Sequence, residues 1–206
     1  MIFILASSTF HLVDSAKAYP PNGRLIDVWI DYDKQLARVD VLKGHDASKS
    51  FLLLYSSNSE YMIRSGEFAA CKRSFLTEKL QMPRIPPGFV FSGSVPFHHR
   101  VNGGRSSADR WIDETTNPNL RATMLCDPST KWPLQLSIET KTAAGGSTAP
   151  FEKVVTYNIE EIKSLDDVDD APLLFRLPEP YITESSCTHH VGGWPSIHAF
   201  HTFLRL

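Results

Sequence analysis

Apolar and polar residues alternate along most of this chain, in short runs that stop at Gly, Pro, Asn or Ser. That period of two is the mark of a strand with one face in a core and one face out. Leu25 to Ile30 runs into a turn at Asp31–Lys34, and Leu36 to Leu42 returns with apolar residues at 36, 39 and 41, so the pair predicts a hairpin. Phe51 to Tyr55 is a continuous apolar run of strand length, Ser56–Ser59 is a turn, and Tyr61–Ile63 begins a partner strand. Phe89–Phe91, Arg121–Cys126, Leu134–Thr140 and Phe151–Ile159 complete seven or eight strands. Met82–Gly88 is too rich in proline for a helix or a central strand. Asn102–Ser107 and Ala143–Thr148 read as flexible loops or hairpin tips. The best helical candidate is Ala69–Leu80, on the spacing of Phe75, Leu76 and Leu80.

Strands at this spacing with so little helix predict a mainly β protein. The expected architecture is two stacked antiparallel sheets, or a half-open β-barrel, with one or two short helices. Regular alternation would place Val39, Val41, Leu52, Leu54, Phe89, Phe91, Leu134, Leu136 and Ile138 on one sheet face. Such a face forms a filled core, and a half-closed sheet also encloses an apolar ligand pocket. The alternation is the same in both cases.

Length and charge narrow the function classes. With 206 residues the chain is long enough to bury a core as one domain. A net charge of -2, with no block of like charge and no basic stripe, argues against nucleic acid as a partner. No apolar run approaches the ~20 residues of a transmembrane helix. At the N-terminus, Ile2–Ala6 is apolar and Ala16-Lys17-Ala18 has the small-x-small form of a signal-peptidase site, without a basic region before it. Residues 1–18 therefore read as a leader or the remnant of a signal peptide, 19–187 as the β domain, and 188–206 as a tail rich in histidine and aromatics.

Candidate chemistry is sparse. The chain has no GxSxG, HExxH, GxxxxGK[ST] or GxGxxG sequence. Asp31/Asp33, Asp166/Asp167 and Asp169/Asp170 are close acidic pairs without the pattern of a calcium loop, and read as solvated turn carboxylates. Three cysteines, at 71, 126 and 187, allow one disulfide and leave one thiol over. The tail offers His189, His190, His198 and His201 beside Cys187, and imidazoles suit Zn or Cu. Gly192, Gly193 and Pro195 break the run, however, and a structural zinc site favours paired short spacings. A metal protein or enzyme built on this tail is the second reading of the chain; His98-His99 is a weaker candidate.

The order of short motifs resembles the ependymin-related family of secreted proteins. It is carried by Trp29–Val41, by Phe51–Leu76 with Cys71, by Ile85-Pro-Pro-Gly-Phe-Val-Phe-Ser-Gly93, by Asp109-Arg-Trp111, by Leu120–Pro128 with Cys126, and by Ile162–Pro180 followed by Cys187. The resemblance spans Asp27 to Cys187, and each motif is weakly specific by itself. It implies two stacked antiparallel sheets with a deep apolar pocket, a fold similar to periplasmic lipoprotein carriers of the LolA type. It also implies an extracellular or lysosomal, dimeric, calcium-responsive protein that binds a lipid or other hydrophobic ligand without catalysis. Calcium enters on this ground alone, and no other cofactor is implied. The family pattern pairs Cys71 with Cys187, which takes the thiolate out of the tail's metal candidates. The family's first cysteine and its N-x-[ST] sequon have no counterpart here, which implies a divergent or N-terminally truncated member. An extracellular adhesion protein whose pocket is incidental stays open as a third reading.

Overall fold

The first hairpin forms where the alternation places it. In the computed structural model of the protein, which describes residues 2–10, 24–44, 46–77, 79–80, 85, 87–98, 103–115, 119–141, 150–164 and 171–194, β2 (Arg24–Asp31) and β3 (Leu36–Gly44) are neighbours in one ladder. Between them the Asp31 carboxylate accepts the Lys34 backbone N–H at 3.0 Å, and the Lys34 ammonium lies 3.3 Å from it. Gln35 takes a left-handed φ of 56° and its side-chain amide donates to the Tyr32 carbonyl at 2.8 Å. The turn thus satisfies its polar groups locally. Burial raises the Asp31 carboxyl, but the hydrogen bond from the Lys34 backbone and the Lys34 charge outweigh it and hold the group below its ordinary range.

The remaining strands are β1 (Ile2–Phe10), β4 (Lys49–Leu54), β5 (Ser59–Arg64), β6 (Ala70–Phe75), β7 (Val90–His98), β8 (Arg105–Asp113), β9 (Leu120–Cys126), β10 (Pro133–Lys141), β11 (Phe151–Ser164) and the two-residue β12 (Thr188–His189). The one α-helix among the described residues is α1, Ala171–Leu174. In hydrogen-bonding order the strands run β12-β6-β5-β4-β3-β2-β1-β11-β10-β9-β8-β7, and the order does not close on itself. The protein is mainly β, with antiparallel sheets that are not closed into a barrel and almost no helix, as the alternation predicts.

Three local expectations differ. Ala69–Leu80 is no helix: Ala70–Phe75 is strand β6, paired antiparallel to β5 with Cys71 opposite Ile63. The apolar spacing of Phe75, Leu76 and Leu80 is too short to hold a helix against that pairing. The expected loop Asn102–Ser107 runs into β8, whose polar start hides it from a hydrophobic pattern. Ile2–Phe10, within the expected leader, is a nine-residue strand.

The described chain forms two compact units, one containing Leu25–Pro83 and Glu161–Arg205, the other Arg84–Glu160. In the first, pairing register sorts the side chains. Val39 faces Phe51, which faces Met62, while Arg38 faces Leu52, which faces Tyr61. Both faces are buried. One carries Ile26, Val28, Ile30, Ala37, Val39, Val41, Phe51 and Leu53. On the other, Leu52, Tyr61, Ile63 and Cys71 form a cluster with Phe175, packed against Leu174, Leu177, Tyr181 and Cys187. Residues 171–194 therefore form a strap across that face. It is held by the Cys71–Cys187 disulfide, by Arg38 Nη1 donating to the Leu174 carbonyl at 3.0 Å, and by Thr188 Oγ1 donating to the Cys71 carbonyl at 3.3 Å. The disulfide is the pair implied by the family resemblance.

Beyond β12 the strap rounds the β6 edge. The His190 backbone N–H donates to the Arg73 carbonyl at 2.7 Å, and the Gly193 N–H to Ser74 Oγ at 3.2 Å. Trp194 then meets Phe51 edge-on at 5.9 Å. Ser74 and Phe51 both lie on the face opposite the Leu52 cluster, so one strap engages both faces and covers an edge that would otherwise be open for pairing.

Candidate functional site

In the second unit the register lines up one row of directly opposed residues across five strands: Phe91 (β7), Trp111 (β8), Met124 (β9), Leu136 (β10) and Tyr157 (β11). Each is the cross-strand partner of the next, so all five side chains stand on one face. At a strand spacing of about 4.8 Å the row is roughly 19 Å long. Phe91 is 51% exposed, whereas Met124, Leu136 and Tyr157 are buried, at 1%, 4% and 7%. Leu134 and Ile138, both half-buried, flank Leu136 on the same strand. The result is an apolar rib with one accessible end.

The accessible end is a shaped corner. The β7–β8 register shifts between Phe91 and Ser94, and Gly93 takes φ 94° within that bulge. The bulge is clamped on both sides. Arg110 Nη2 donates to the Ser92 carbonyl at 3.2 Å and to Ser92 Oγ at 3.1 Å, and Ser94 Oγ donates to Asp109 at 3.1 Å. Asp109 also accepts from the Lys131 ammonium at 2.8 Å, and Lys131 and Ser94 together hold its carboxyl below the ordinary range. The Phe91 ring meets the Trp111 ring edge-on at 5.4 Å and 61°. Trp111 Nε1 is buried and has no acceptor among the described residues.

The nine residues that alternation places on one face are divided. Phe91 and Leu136 lie in the row, Ile138 stands on its face two residues from Leu136, Leu134 falls at the register shift between Pro133 and Gln135, and half-buried Phe89 lies just ahead of β7. Val39 and Val41 are buried in the first unit. Leu52 and Leu54, however, lie on the opposite face of that sheet from Val39 and Val41, beneath the strap. The unbroken Phe51–Leu54 run holds no parity signal, because both faces of β4 are apolar. Trp111, Met124 and Tyr157 are absent from the sequence-based set. The buried parity of Ala122, Met124 and Cys126 is readable along β9, but the row they share with Trp111 depends on register.

The polar candidates are placed as follows. His189 lies in β12, and the His190 ring stacks on Trp194 at 4.9 Å and 17°. His198, His201 and the two pairs at 166–170 lie outside the described residues. Among the described residues no three His, Cys, Asp or Glu side chains gather as a metal site. Cys126 is a buried free thiol, pushed up to about 11 by burial and by the nearby Asp109 charge. No helix of the described chain is long and apolar enough to cross a membrane.

The fold superposes on an uncharacterized conserved protein from Thermus thermophilus with a TM-score of 0.57 and 10% identity, over 92% of this chain and 90% of that one. That likeness is one of fold alone. A putative outer membrane lipoprotein-sorting protein domain from Vibrio parahaemolyticus matches 85% of this chain and 91% of its own at 10% identity and a TM-score of 0.36. A DUF1329 family protein from Desulfovibrio piger matches 88% and 91% at 7% identity and 0.37. At TM-scores this low, neither bears on ligand or function. No protein-family model and no curated protein sequence matches the chain, so the ependymin-related resemblance rests on its collinear motifs.

Proposed function

We propose that this protein is a non-enzymatic, secreted binder of a hydrophobic ligand, of lipid or fatty-acyl type. The observation that carries the reading is the rib from Phe91 to Tyr157, which leads from a half-exposed aromatic to fully buried apolar side chains without crossing a charged residue. A chain laid along it would be stabilised by ~0.8 kcal/mol per buried CH₂. The ependymin-related resemblance implies the same class of ligand and the same setting outside the cytosol. The Cys71–Cys187 disulfide supports that setting, since such bonds persist in oxidising compartments.

Native mass spectrometry and organic extraction of the protein, purified from an oxidising expression host, test the reading. A co-purifying lipid, or saturable uptake of a fluorescent acyl probe, is the expected outcome. Failure of every acyl probe to bind, with no lipid extracted, would overturn it.

A further inference from the structure

The indole N–H of Trp111 is the feature of the rib that packing does not explain. A buried indole donor usually finds an acceptor, and an unpaired one calls for an account. Trp111 Nε1 is buried with no acceptor among the described residues, on the face formed by Phe91, Met124 and Leu136. It sits one strand in from the accessible end of the rib, where the polar end of a chain lying along the row would fall.

The surroundings specify that polar end. Asp109 and Asp113 stand two residues to either side of Trp111, on the same face of β8. The row itself contains no cation. A carboxylate brought there would have to compete with Asp109 for the Lys131 ammonium, which Asp109 already holds at 2.8 Å, and leaving a desolvated charge unpaired is costly. A neutral carbonyl oxygen suits a single neutral donor. Resting on the ligand class proposed above, we infer that Trp111 Nε1–H is the recognition donor for an acyl ester carbonyl, so that the rib selects neutral acyl esters over free fatty acids and over plain hydrocarbons. The bulge backbone beside the donor is held through Ser92 and Ser94, and the Phe91 ring next to it is half-exposed.

Three fluorescent probes separate the terms: methyl cis-parinarate, cis-parinaric acid and diphenylhexatriene, the last a hydrocarbon without an acceptor. The wild-type protein should bind the methyl ester most tightly. Trp111→Phe keeps a ring against Phe91 and removes the donor, so affinity for the ester should fall about 5- to 10-fold, the loss of one buried hydrogen bond, with diphenylhexatriene unchanged. Equal losses for ester and hydrocarbon, or no loss for either, would overturn the donor role while leaving hydrophobic binding intact. Failure of the wild type to bind any probe ends both readings. Should the variant not fold, the wild type labelled with ¹⁵N at the indole decides the matter: methyl palmitate must shift the Trp111 Hε1 resonance, and an unmoved resonance under saturation counts against the inference.

Discussion

Asp127 shows how a surface carboxylate in this protein is spent on local structure. Its Oδ1 accepts from the Ser129 hydroxyl and from the backbone N–H groups of Ser129 (2.9 Å) and Thr130 (2.8 Å), which shape the β9–β10 connection. Those bonds, the Ser129 hydroxyl first, hold its pKa down to about 2. Because the folded value lies below the unfolded ~3.9, this contribution is fully present above about pH 4 and is lost as pH falls towards 2. Urea midpoints of wild type and Asp127→Asn should therefore differ at pH 6 and converge near pH 2. Cys126 gives the opposite case. Its thiol is buried and raised to about 11, so it stays protonated at pH 8. A thiol reagent should leave it unmodified in the folded protein and label one cysteine per chain in denaturant. Rapid labelling of the folded chain would contradict the buried placement.

At the scale of elements, the strap is what completes the first sheet. Leu52 is 2% exposed beneath it, whereas Leu120 at the start of β9 is 40% exposed. Leu52→Ala should cost ~2–5 kcal/mol by urea unfolding, and Leu120→Ala within about 0.5 kcal/mol. Replacing both Cys71 and Cys187 by Ser should cost ~2–5 kcal/mol, with faster amide exchange in residues 171–190 as its local sign. The strap also explains what the sequence conceals. Strands β2, β3, β9 and β10 are legible because each has neighbours of contrasting polarity. β4 is legible as a strand but not by face, since the strap makes its outer side as apolar as its inner side. β6 reads as a helix in the sequence because its identity is set from afar, by Ile63 across the ladder and by Cys187 at a sequence separation of 116.

For the whole molecule, mainly β character and an open ladder follow from alternation, turn residues and the scarcity of helical spacing. The candidate site does not. Its row is a property of register across β7 to β11, and that register shifts at Phe91/Ser94, Pro133/Gln135 and Ile138/Glu139, irregularities that leave little trace in composition. Two of the nine expected residues, Phe91 and Leu136, fall in the row, while Trp111, the residue with the most specific chemistry, stands out in the sequence only as part of a family motif.

The disulfide has a consequence of connectivity as well as of stability. Residues 71 to 187 form a covalent macrocycle, and all of Arg84–Glu160 lies within it as an insert between the two sulfurs. A single protease cut inside the ring, for example at Gly103, which is exposed ahead of β8, opens the macrocycle without releasing a fragment. On a gel the nicked protein should run as one species without reductant and as two with it, so it would pass for intact wherever thiols are scarce.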